Sequence, residues 1–354
     1  MQDISKSYLE RVVGILPRRY GLKKDRIFLY GAPAVGKSAL AFFHSVWHKK
    51  TLYINCADCR TDIESANAFI LKSYLERNLE LLIVDNYTPA ISLPNLSHII
   101  LIAPSIAHCP KDFTPKHIRA LSFEEYVSFD NKNISISNLF NLFLKEGNLP
   151  EIQRLQPSYK ITRKQEILKL ALKNNFALFC SLLSMQGQKL TINHIYTLLK
   201  KSHKISKDKI YPWLSSLEKC GIISLVPHRK NANKKLYFYD FTLPLCVRNE
   251  KNLIAILENM LLLELYAKLE RTGKSDIIEY GDVGEFVCAL GIFLFLPFAT
   301  QEHIESKLAT YTQKTHMYII TLNFEGKGKI KNITYQAMSF INFALEWEAE
   351  NLPL

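Results

Sequence analysis

The stretch RIFLYGAPAVGKSAL, residues 26–40, decides the fold of this chain. Its apolar run at 27–30 predicts a short buried strand, and the segment that starts at Ser38 has the composition of a helix. Between them, Gly31 to Ser38 matches the pattern GxxxxGK[ST] in full. Glycines let a backbone wrap around an anion, and the N–H groups at a helix N-terminus attract phosphate. The pattern in this strand–loop–helix context therefore predicts a phosphate-binding loop.

The loop assigns roles to individual residues. We expect Lys37 to reach the β and γ phosphates of ATP and Ser38 to ligate Mg²⁺, so ATP and Mg²⁺ are the predicted cofactors. The alternative is an accidental glycine-rich turn before a helix. The residues expected to contact the nucleotide are Gly31, Ala34, Val35, Gly36, Lys37, Ser38 and Ala39.

A second apolar stretch, LELLIVDNYTP at 79–89, ends a predicted strand in Asp85. Asp85 is expected to hold Mg²⁺ directly or through water, although a helix or turn cap is the alternative. The next residue is Asn86, where enzymes that activate a water usually carry Glu. Because a general base contributes about 10²–10⁴-fold to a rate, we expect ATP binding with slow or partner-dependent hydrolysis. On the next strand, Ser105 is placed to sense the γ-phosphate, or is a plain turn serine.

Strands alternate with helices as far as about residue 105, which predicts an α/β fold with a parallel sheet covered on both faces. A helix at 136–146 follows, as in a lid. Three helices between 163 and 220 and two strands around a basic turn predict a winged helix. After Pro244, a long helix and several strands predict a small α/β domain. The predicted divisions are 1–132, 133–160, 161–245 and 246–354.

Lysine and arginine exceed aspartate and glutamate, and the formal net charge is +12. Such a balance favours an acidic partner, most often nucleic acid, unless it only reflects a generally basic composition. In a winged helix, the recognition helix enters the major groove and basic side chains contact phosphates. We expect contacts with double-stranded DNA, although winged helices also dock proteins. The predicted contact residues are Lys207, Lys209, Arg229, Lys230, Lys234 and Lys235.

Eight motifs in order resemble a known family. They are RIFLYGAPAVGKSAL, LELLIVD, HIILIAPS, ALSFEEYVSF, LFNLFLKEGNLPEI, KIYPWLSSLEKCGIISLV, KKLYFYD and LENMLLLEL. Together they resemble the AAA-type P-loop ATPases of bacteria and archaea whose uncharacterised C-terminal region holds a winged helix and a degenerate restriction-endonuclease-like fold. The resemblance covers most of the chain and implies this architecture, with a helical lid after the ATPase core.

The chain departs from that family at three places. Asn86 stands where the family usually has Glu, and Ala103-Pro104-Ser105 replaces the usual Gly-Ser at the sensor strand. The family often has Gly-Arg shortly before the LSF element, and Arg119 is offset from that position. The resemblance therefore carries Arg119 over only as a candidate γ-phosphate-sensing arginine.

The resemblance also implies a nuclease-like fold at the C-terminus. An active version needs acids and a lysine around Mg²⁺, but the strand expected to carry Glu-x-Lys reads GIFLFLPFAT. We therefore expect a structural or partner-binding domain rather than an active nuclease. The acids that an active site would use are Glu258, Glu264, Asp282 and Glu285.

The remaining features concern the compartment. Cysteines are scattered, and only Cys56 and Cys59 form a CxxC pair, so free thiols in a reducing cytosol are favoured over redox or metal use. The N-terminal residues carry acids and lack the apolar centre of a signal peptide. The longest apolar run, 289–299, is too short to span a membrane. We expect a cytoplasmic protein that does not associate with membranes.

These features support two hypotheses about function. The first is a slow ATP-dependent switch coupled to a DNA-binding winged helix. The second is a nucleotide-gated regulatory scaffold that binds a protein partner, or a further copy of itself, without nucleic acid.

Overall fold

The computed structural model describes residues 2–10, 15–247, 252–311 and 315–348. The chain forms two compact units, one of residues 1–120 with 216–222 and one of residues 121–215 with 223–354. Within the domain predicted at 246–354, residues 248–251, 312–314 and 349–354 lie outside the described residues.

The first unit is built on a five-stranded sheet in which every paired strand is parallel. The strand order is β2-β3-β4-β1-β5. Its elements in chain order are α1 (Gln2–Leu9), β1 (Arg26–Tyr30), α2 (Lys37–Ser45), β2 (Thr51–Asn55), α3 (Ile63–Leu75), β3 (Leu81–Asp85), β4 (His98–Ile102) and β5 (Thr114–His117).

The predicted parallel α/β fold is confirmed for the first four strands, and β5 was missed. Strand β3 is apolar and every residue in it is buried, as expected for an interior parallel strand. Strand β5 reads TPKH and pairs with β1 alone. A polar strand that contains Pro115 is compatible only with a sheet edge, so its sequence lacks the apolar pattern that reveals interior strands.

The second unit begins with helices and a small antiparallel sheet of order β6-β8-β7. Its elements are α4 (Phe123–Ser128), α5 (Ile136–Glu146), α6 (Pro150–Arg154), α7 (Pro157–Leu172), α8 (Phe176–Leu183), β6 (Lys189–Leu190), α9 (Ile192–Lys200), α10 (Lys207–Lys219), β7 (Ile223–Pro227) and β8 (Lys234–Phe238). The last turn of α10 is assigned to the first unit.

The first of the three helices predicted between 163 and 220 is in fact two. Helix α7 ends at Leu172, and a short 3₁₀ turn over Lys173–Asn175 precedes α8. Lys173 has a φ of 48°, in the left-handed region that breaks a right-handed helix. Helix α7 also begins earlier than predicted, because Pro157 occupies the first helical position, where proline is favoured.

A six-stranded mixed sheet completes the second unit, with the order β13-β14-β12-β11-β10-β9. The sequence did not predict β13, β14 or α14; strand β13 reads GKGKI and lacks the apolar pattern of a strand. The elements are α11 (Leu243–Val247), α12 (Leu253–Thr272), β9 (Ile278–Tyr280), β10 (Phe286–Cys288), β11 (Gly291–Phe295), α13 (Gln301–Leu308), β12 (Thr315–Thr321), β13 (Gly326–Ile330), β14 (Ile333–Ser339) and α14 (Phe340–Leu345).

Residues 121–132 belong to the second unit, whereas the sequence placed them in the ATPase core. Phe123 is fully buried, and its ring lies 5.2 Å from that of Phe143 and 6.0 Å from that of Phe340. Helix α4 is therefore held by aromatic packing within the second unit. Ser122 and Glu125 form a capping box that begins this helix.

The second unit also contains a buried ion pair. Lys164 on α7 pairs with Asp240, and its ammonium donates to the hydroxyl of Thr242 at 2.6 Å. Because both charges are buried, we expect Asp240→Ala to lower the free energy of unfolding by about 3–5 kcal/mol, the cost of an uncompensated buried charge. Chemical denaturation measures this. Asp282→Ala, at an exposed ion pair, is the control and should leave the free energy of unfolding nearly unchanged.

Candidate nucleotide site and nucleic-acid surface

The backbone of the loop between β1 and α2 explains its glycines. Gly31 has a φ of 142° and Gly36 a φ of 93°, values that favour glycine. A Cβ on Gly31 would lie 2.3 Å from the carbonyl oxygen of Ile118. Ala34 also has a positive φ, 60°. The loop therefore turns sharply into α2, whose cap residue is Gly36.

Lys37 is folded back over this loop. Its Nζ donates to the carbonyl oxygens of Gly31 at 2.8 Å and Ala32 at 2.7 Å. Burial lowers the pKa of Lys37 to about 8, while the nearby charges of Asp85 and Cys220 act in the opposite direction. An ammonium with few water contacts, held by carbonyl oxygens, is available to an anion that enters the loop.

Ser38 and Asp85, the two predicted metal ligands, lie together because β1 and β3 run parallel and end at the same edge of the sheet. The Oγ of Ser38 donates to Oδ2 of Asp85 at 2.5 Å. The hydroxyl of Tyr53 donates to the same oxygen at 2.9 Å, and the backbone N–H of Asn86 donates to Oδ1 at 2.8 Å. Tyr53 is a member of the site that sequence reasoning missed, because it lies inside β2.

This pair suits Mg²⁺ by its chemistry. A hydroxyl and a carboxylate offer oxygen ligands, and Mg²⁺ at phosphate sites usually takes one or two protein ligands with the phosphates and waters. Within the described ranges, no group of three or more His, Cys, Asp or Glu side chains is placed to hold a metal. The arrangement therefore fits a metal that is held jointly with a phosphate ligand.

Asn86 adopts a left-handed backbone conformation, with a φ of 51°. Asparagine tolerates this region better than most residues do. Its Nδ2 donates to Oδ1 of Asn55 at 2.9 Å, which ties the ends of β3 and β2 together. The backbone conformation and this hydrogen bond thus give asparagine a structural role at position 86.

The two predicted sensors differ in placement. Strand β4 ends at Ile102, and Ser105 lies beyond it, where its hydroxyl accepts the N–H of Ala107 at 3.5 Å and caps a 3₁₀ turn. This is the turn-serine alternative, and γ-phosphate sensing by Ser105 stays a prediction. Arg119 lies just after β5, and its backbone N–H donates to the hydroxyl of Tyr20 at 3.0 Å.

Arg18 contacts the phosphate loop and was not predicted. Its Nη1 donates to the carbonyl oxygen of Val35 at 2.6 Å, and its Nη2 donates to that of Arg119 at 3.0 Å. The only signal in the sequence was the basic segment RRYG, which reads as an ordinary solvent-exposed loop. Arg18 lies well before the loop of residues 31–38, so the spacing of that motif gives no indication that its side chain contacts the loop.

The predicted nucleic-acid residues lie in the second unit and divide into three groups. Lys207 and Lys209 are exposed at the start of α10. Arg229 and Lys230 are exposed between β7 and β8, but Lys230 pairs with Asp282, and Arg229 lies 3.9 Å from Glu279. Lys234 is half-buried.

Lys235 is a correction to the prediction. Its side chain is buried and pairs with Glu258 on α12. Lys235 alternates with Lys234 along β8, so the two point to opposite faces of the strand. The sequence could not show which face meets the core, and Lys235 is withdrawn from the predicted surface.

Further lysines line a surface depression at the turn between α9 and α10. They include Lys200, Lys201 and Lys204, together with Lys209 from the first turn of α10. His203 closes one side, and its Nε2 is 2.8 Å from the hydroxyl of Ser181.

The four acids considered for a nuclease site each have a separate partner. Glu258 pairs with Lys235, and Asp282 pairs with Lys230. Oε2 of Glu264 accepts the N–H of Phe123 at 2.9 Å, and Oε2 of Glu285 accepts that of Val283 at 3.1 Å. Cys56 and Cys59 are free thiols, and burial raises the pKa of Cys56 to about 11.

No protein-family model matches the sequence, and no curated protein matches it. Similar solved structures include a Walker-type ATPase of Pyrococcus abyssi, at 14% identity and a TM-score of 0.41, over 70% of this chain and 95% of that one. A signal-transduction ATPase with numerous domains (STAND) and a tetratricopeptide-repeat sensor, from Pyrococcus horikoshii, is 15% identical with a TM-score of 0.30, over 70% of this chain and 43% of that one. AMPPCP-bound DnaA from Aquifex aeolicus is 14% identical with a TM-score of 0.27, over 61% of this chain and 85% of that one.

Among the described helices, none combines the length and the apolar character needed to cross a lipid bilayer.

Proposed function

We propose that this protein binds ATP with Mg²⁺ at the loop of residues 31–38 and acts as a slow nucleotide-dependent switch. The observation that carries the proposal is the hydrogen bond between Ser38 and Asp85, beside an inward-folded Lys37. A chance glycine-rich turn has no reason to meet a buried carboxylate from another strand.

Each residue has a defined task in this proposal. Lys37 binds phosphate oxygens with its ammonium, and the loop N–H groups at the start of α2 bind others. Ser38 and Asp85 hold Mg²⁺, while Tyr53 keeps the carboxylate in place. When bound, Mg²⁺ neutralises charge on the phosphates. Arg18 braces the loop through the carbonyl of Val35.

Hydrolysis is slow in this proposal because of Asn86. A carboxamide does not accept a proton from water at neutral pH, as a carboxylate can. The amide is also engaged with Asn55. Bound ATP therefore remains unhydrolysed for long periods, which suits a switch whose state depends on which nucleotide is present.

We further propose that the lysines near the start of α10 contact the phosphates of double-stranded DNA. Support comes from the exposure of Lys207 and Lys209 and from the lysine-lined depression that adjoins them. Phosphate contacts release counterions, so such binding must weaken steeply as salt rises.

We expect the double variant Lys207→Ala/Lys209→Ala to bind duplex DNA more weakly and to reduce the slope of log K against log salt by about 2, one for each lost phosphate contact. Fluorescence anisotropy across a salt series, with and without ATP·Mg²⁺, measures both effects. Lys145→Ala removes an exposed lysine at the end of α5 and should leave the slope unchanged.

The second candidate function is a nucleotide-gated scaffold for a protein partner. It is favoured by the turn between β7 and β8. There Arg229 and Lys230 lie near the carboxylates of Glu279 and Asp282, which partly neutralise their charges. A flat salt response, or no DNA binding by the wild-type protein, would leave this function as the better account.

A further inference from the structure

Residues 216–222 belong to the first unit, although they follow the rest of α10 in the chain. Helix α10 ends at Lys219, and Gly221 just beyond it has a φ of 67°. The N–H of Ile222 donates to the carbonyl of Leu217 at 2.9 Å, and that of Gly221 to the carbonyl of Glu218 at 2.9 Å. This is the ordinary hydrogen bonding of a helix end at a left-handed glycine.

Gly221 lies directly against His117 at the end of β5. A Cβ on Gly221 would be 2.5 Å from Nε2 of His117 and 3.0 Å from its Cε1. Real Cβ atoms essentially never approach other atoms so closely, so the glycine is needed here for contact as well as for backbone conformation.

His117 in turn lies against the start of the phosphate loop. Its ring stacks on Tyr30, the last residue of β1, with centroids 4.9 Å apart and planes inclined by 10°. A Cβ on Gly31 would lie 3.2 Å from Cδ2 of His117. One imidazole therefore touches Gly221 on one side and the strand end that opens the loop on another.

Cys220 provides a second link to the same loop. Burial raises the pKa of its thiol, and the charge of Lys37 opposes that rise. The charge of Cys220 in turn acts to raise the pKa of Lys37. The residue before Gly221 is therefore close enough to the phosphate-binding ammonium to sense its charge.

We infer that residues 216–222 are part of the nucleotide site, and that His117 is the positioning residue through which Gly221 and the phosphate loop constrain each other. The inference deepens the proposed function and rests on it. Neither His117 nor Gly221 touches the phosphates in this account; they hold the loop in the conformation that binds them. Nucleotide binding and the placement of this segment are thermodynamically linked as a result.

The first test uses the thiol of Cys220 in the wild-type protein, so it needs no variant. When phosphates engage the ammonium of Lys37, the thiolate of Cys220 loses a stabilising charge. We expect saturating ATP·Mg²⁺ to slow alkylation of Cys220 by iodoacetamide on the order of threefold, since thiolate content sets the rate. Mass spectrometry follows each peptide, with Cys180 and Cys288 of the second unit as internal standards.

The second test is a double-mutant cycle between Gly221 and His117. Gly221→Ala should weaken ATP binding on the order of tenfold, because the new methyl group drives His117 toward Tyr30 and Gly31. In a His117→Ala background the same substitution should cost much less. We expect a coupling of about fivefold or more, within the range that residues in contact show. Isothermal titration calorimetry measures all four proteins.

Gly273→Ala is a matched control for backbone strain. Gly273 ends α12 with a φ of 65°, nearly the value at Gly221, but a Cβ there would meet nothing within 4 Å. This substitution costs about 1 kcal/mol of stability for a left-handed alanine but creates no clash like that between Gly221→Ala and His117. It should leave ATP affinity unchanged. A Gly221→Ala effect no larger than this control, or one that persists without His117, overturns the inference.

The two ideas fail in different ways. If the wild-type protein does not bind ATP by calorimetry, the proposed function fails. If ATP binds, but alkylation of Cys220 is the same with and without it, only the inference about residues 216–222 fails.

Discussion

Lys37→Ala is expected to reduce the affinity for ATP·Mg²⁺ by about 100-fold, or roughly 3 kcal/mol. This is the typical cost of deleting a buried protein charge that pairs with a charged ligand. In the free protein, the described hydrogen bonds of the Lys37 ammonium go only to backbone carbonyls of its own loop. Burial also disfavours the charged form of this side chain. The variant should therefore keep its thermal stability. Calorimetry of binding and of unfolding measures the two effects separately.

The pH dependence of binding identifies the same side chain. Burial lowers the pKa of Lys37 to about 8, and phosphate binding favours its charged form. Affinity should therefore be full below about pH 8 and fall above it, by up to about tenfold per pH unit while the complex stays protonated. The Lys37→Ala variant should lack this fall, and Lys49→Ala, at an exposed lysine after α2, should behave as wild type. Undiminished affinity in Lys37→Ala would contradict the assignment of the site.

Asn86→Glu is expected to raise the rate of ATP hydrolysis by about 10²-fold while changing ATP affinity little, because a carboxylate after Asp85 can orient and deprotonate water. The affinity should persist since Lys37, Ser38 and Asp85 are unchanged. The left-handed backbone at this position penalises glutamate by about 1 kcal/mol, which should appear as a lower melting temperature. Phosphate release under single-turnover conditions measures the chemical step.

Asn86→Gly is the matched control for this prediction. It removes the same hydrogen bond to Asn55 and relieves the left-handed backbone, but it adds no carboxylate. Its hydrolysis rate should stay near that of the wild type. A wild-type rate already as fast as that of Asn86→Glu would show that another group activates the water.

The candidate site could be proposed from the sequence because the residues that define it form local patterns. Gly31, Gly36, Lys37 and Ser38 lie within one short segment, and their spacing is typical of a loop that wraps around a phosphate. Asp85 was found because a fully apolar strand precedes it. Parallel strands then bring both segments to one edge of the sheet, so the 2.5 Å hydrogen bond follows from two local patterns and one general rule.

Other features could not be predicted because their cause is not local. Strand β5 is polar and becomes a strand only because β1 offers it an open edge. Lys235 resembles its neighbour Lys234 in sequence, yet one meets the core and the other does not. Helix α4 reads as part of the first domain but is held by Phe143 and Phe340, from distant parts of the chain.

The sequence by itself therefore determined the parallel α/β core, and it pointed to the glycine-rich loop of residues 31–38, to Asp85 and to the unusual Asn86 as a candidate site. Each is encoded by residue type and spacing within a short segment. Only the tertiary structure decided that Arg18 and His117 lie against that loop, that Tyr53 donates to Asp85 and that residues 216–222 join the first unit. Contacts between residues so far apart in the chain depend on how the elements pack, and no pattern in a single segment carries that information.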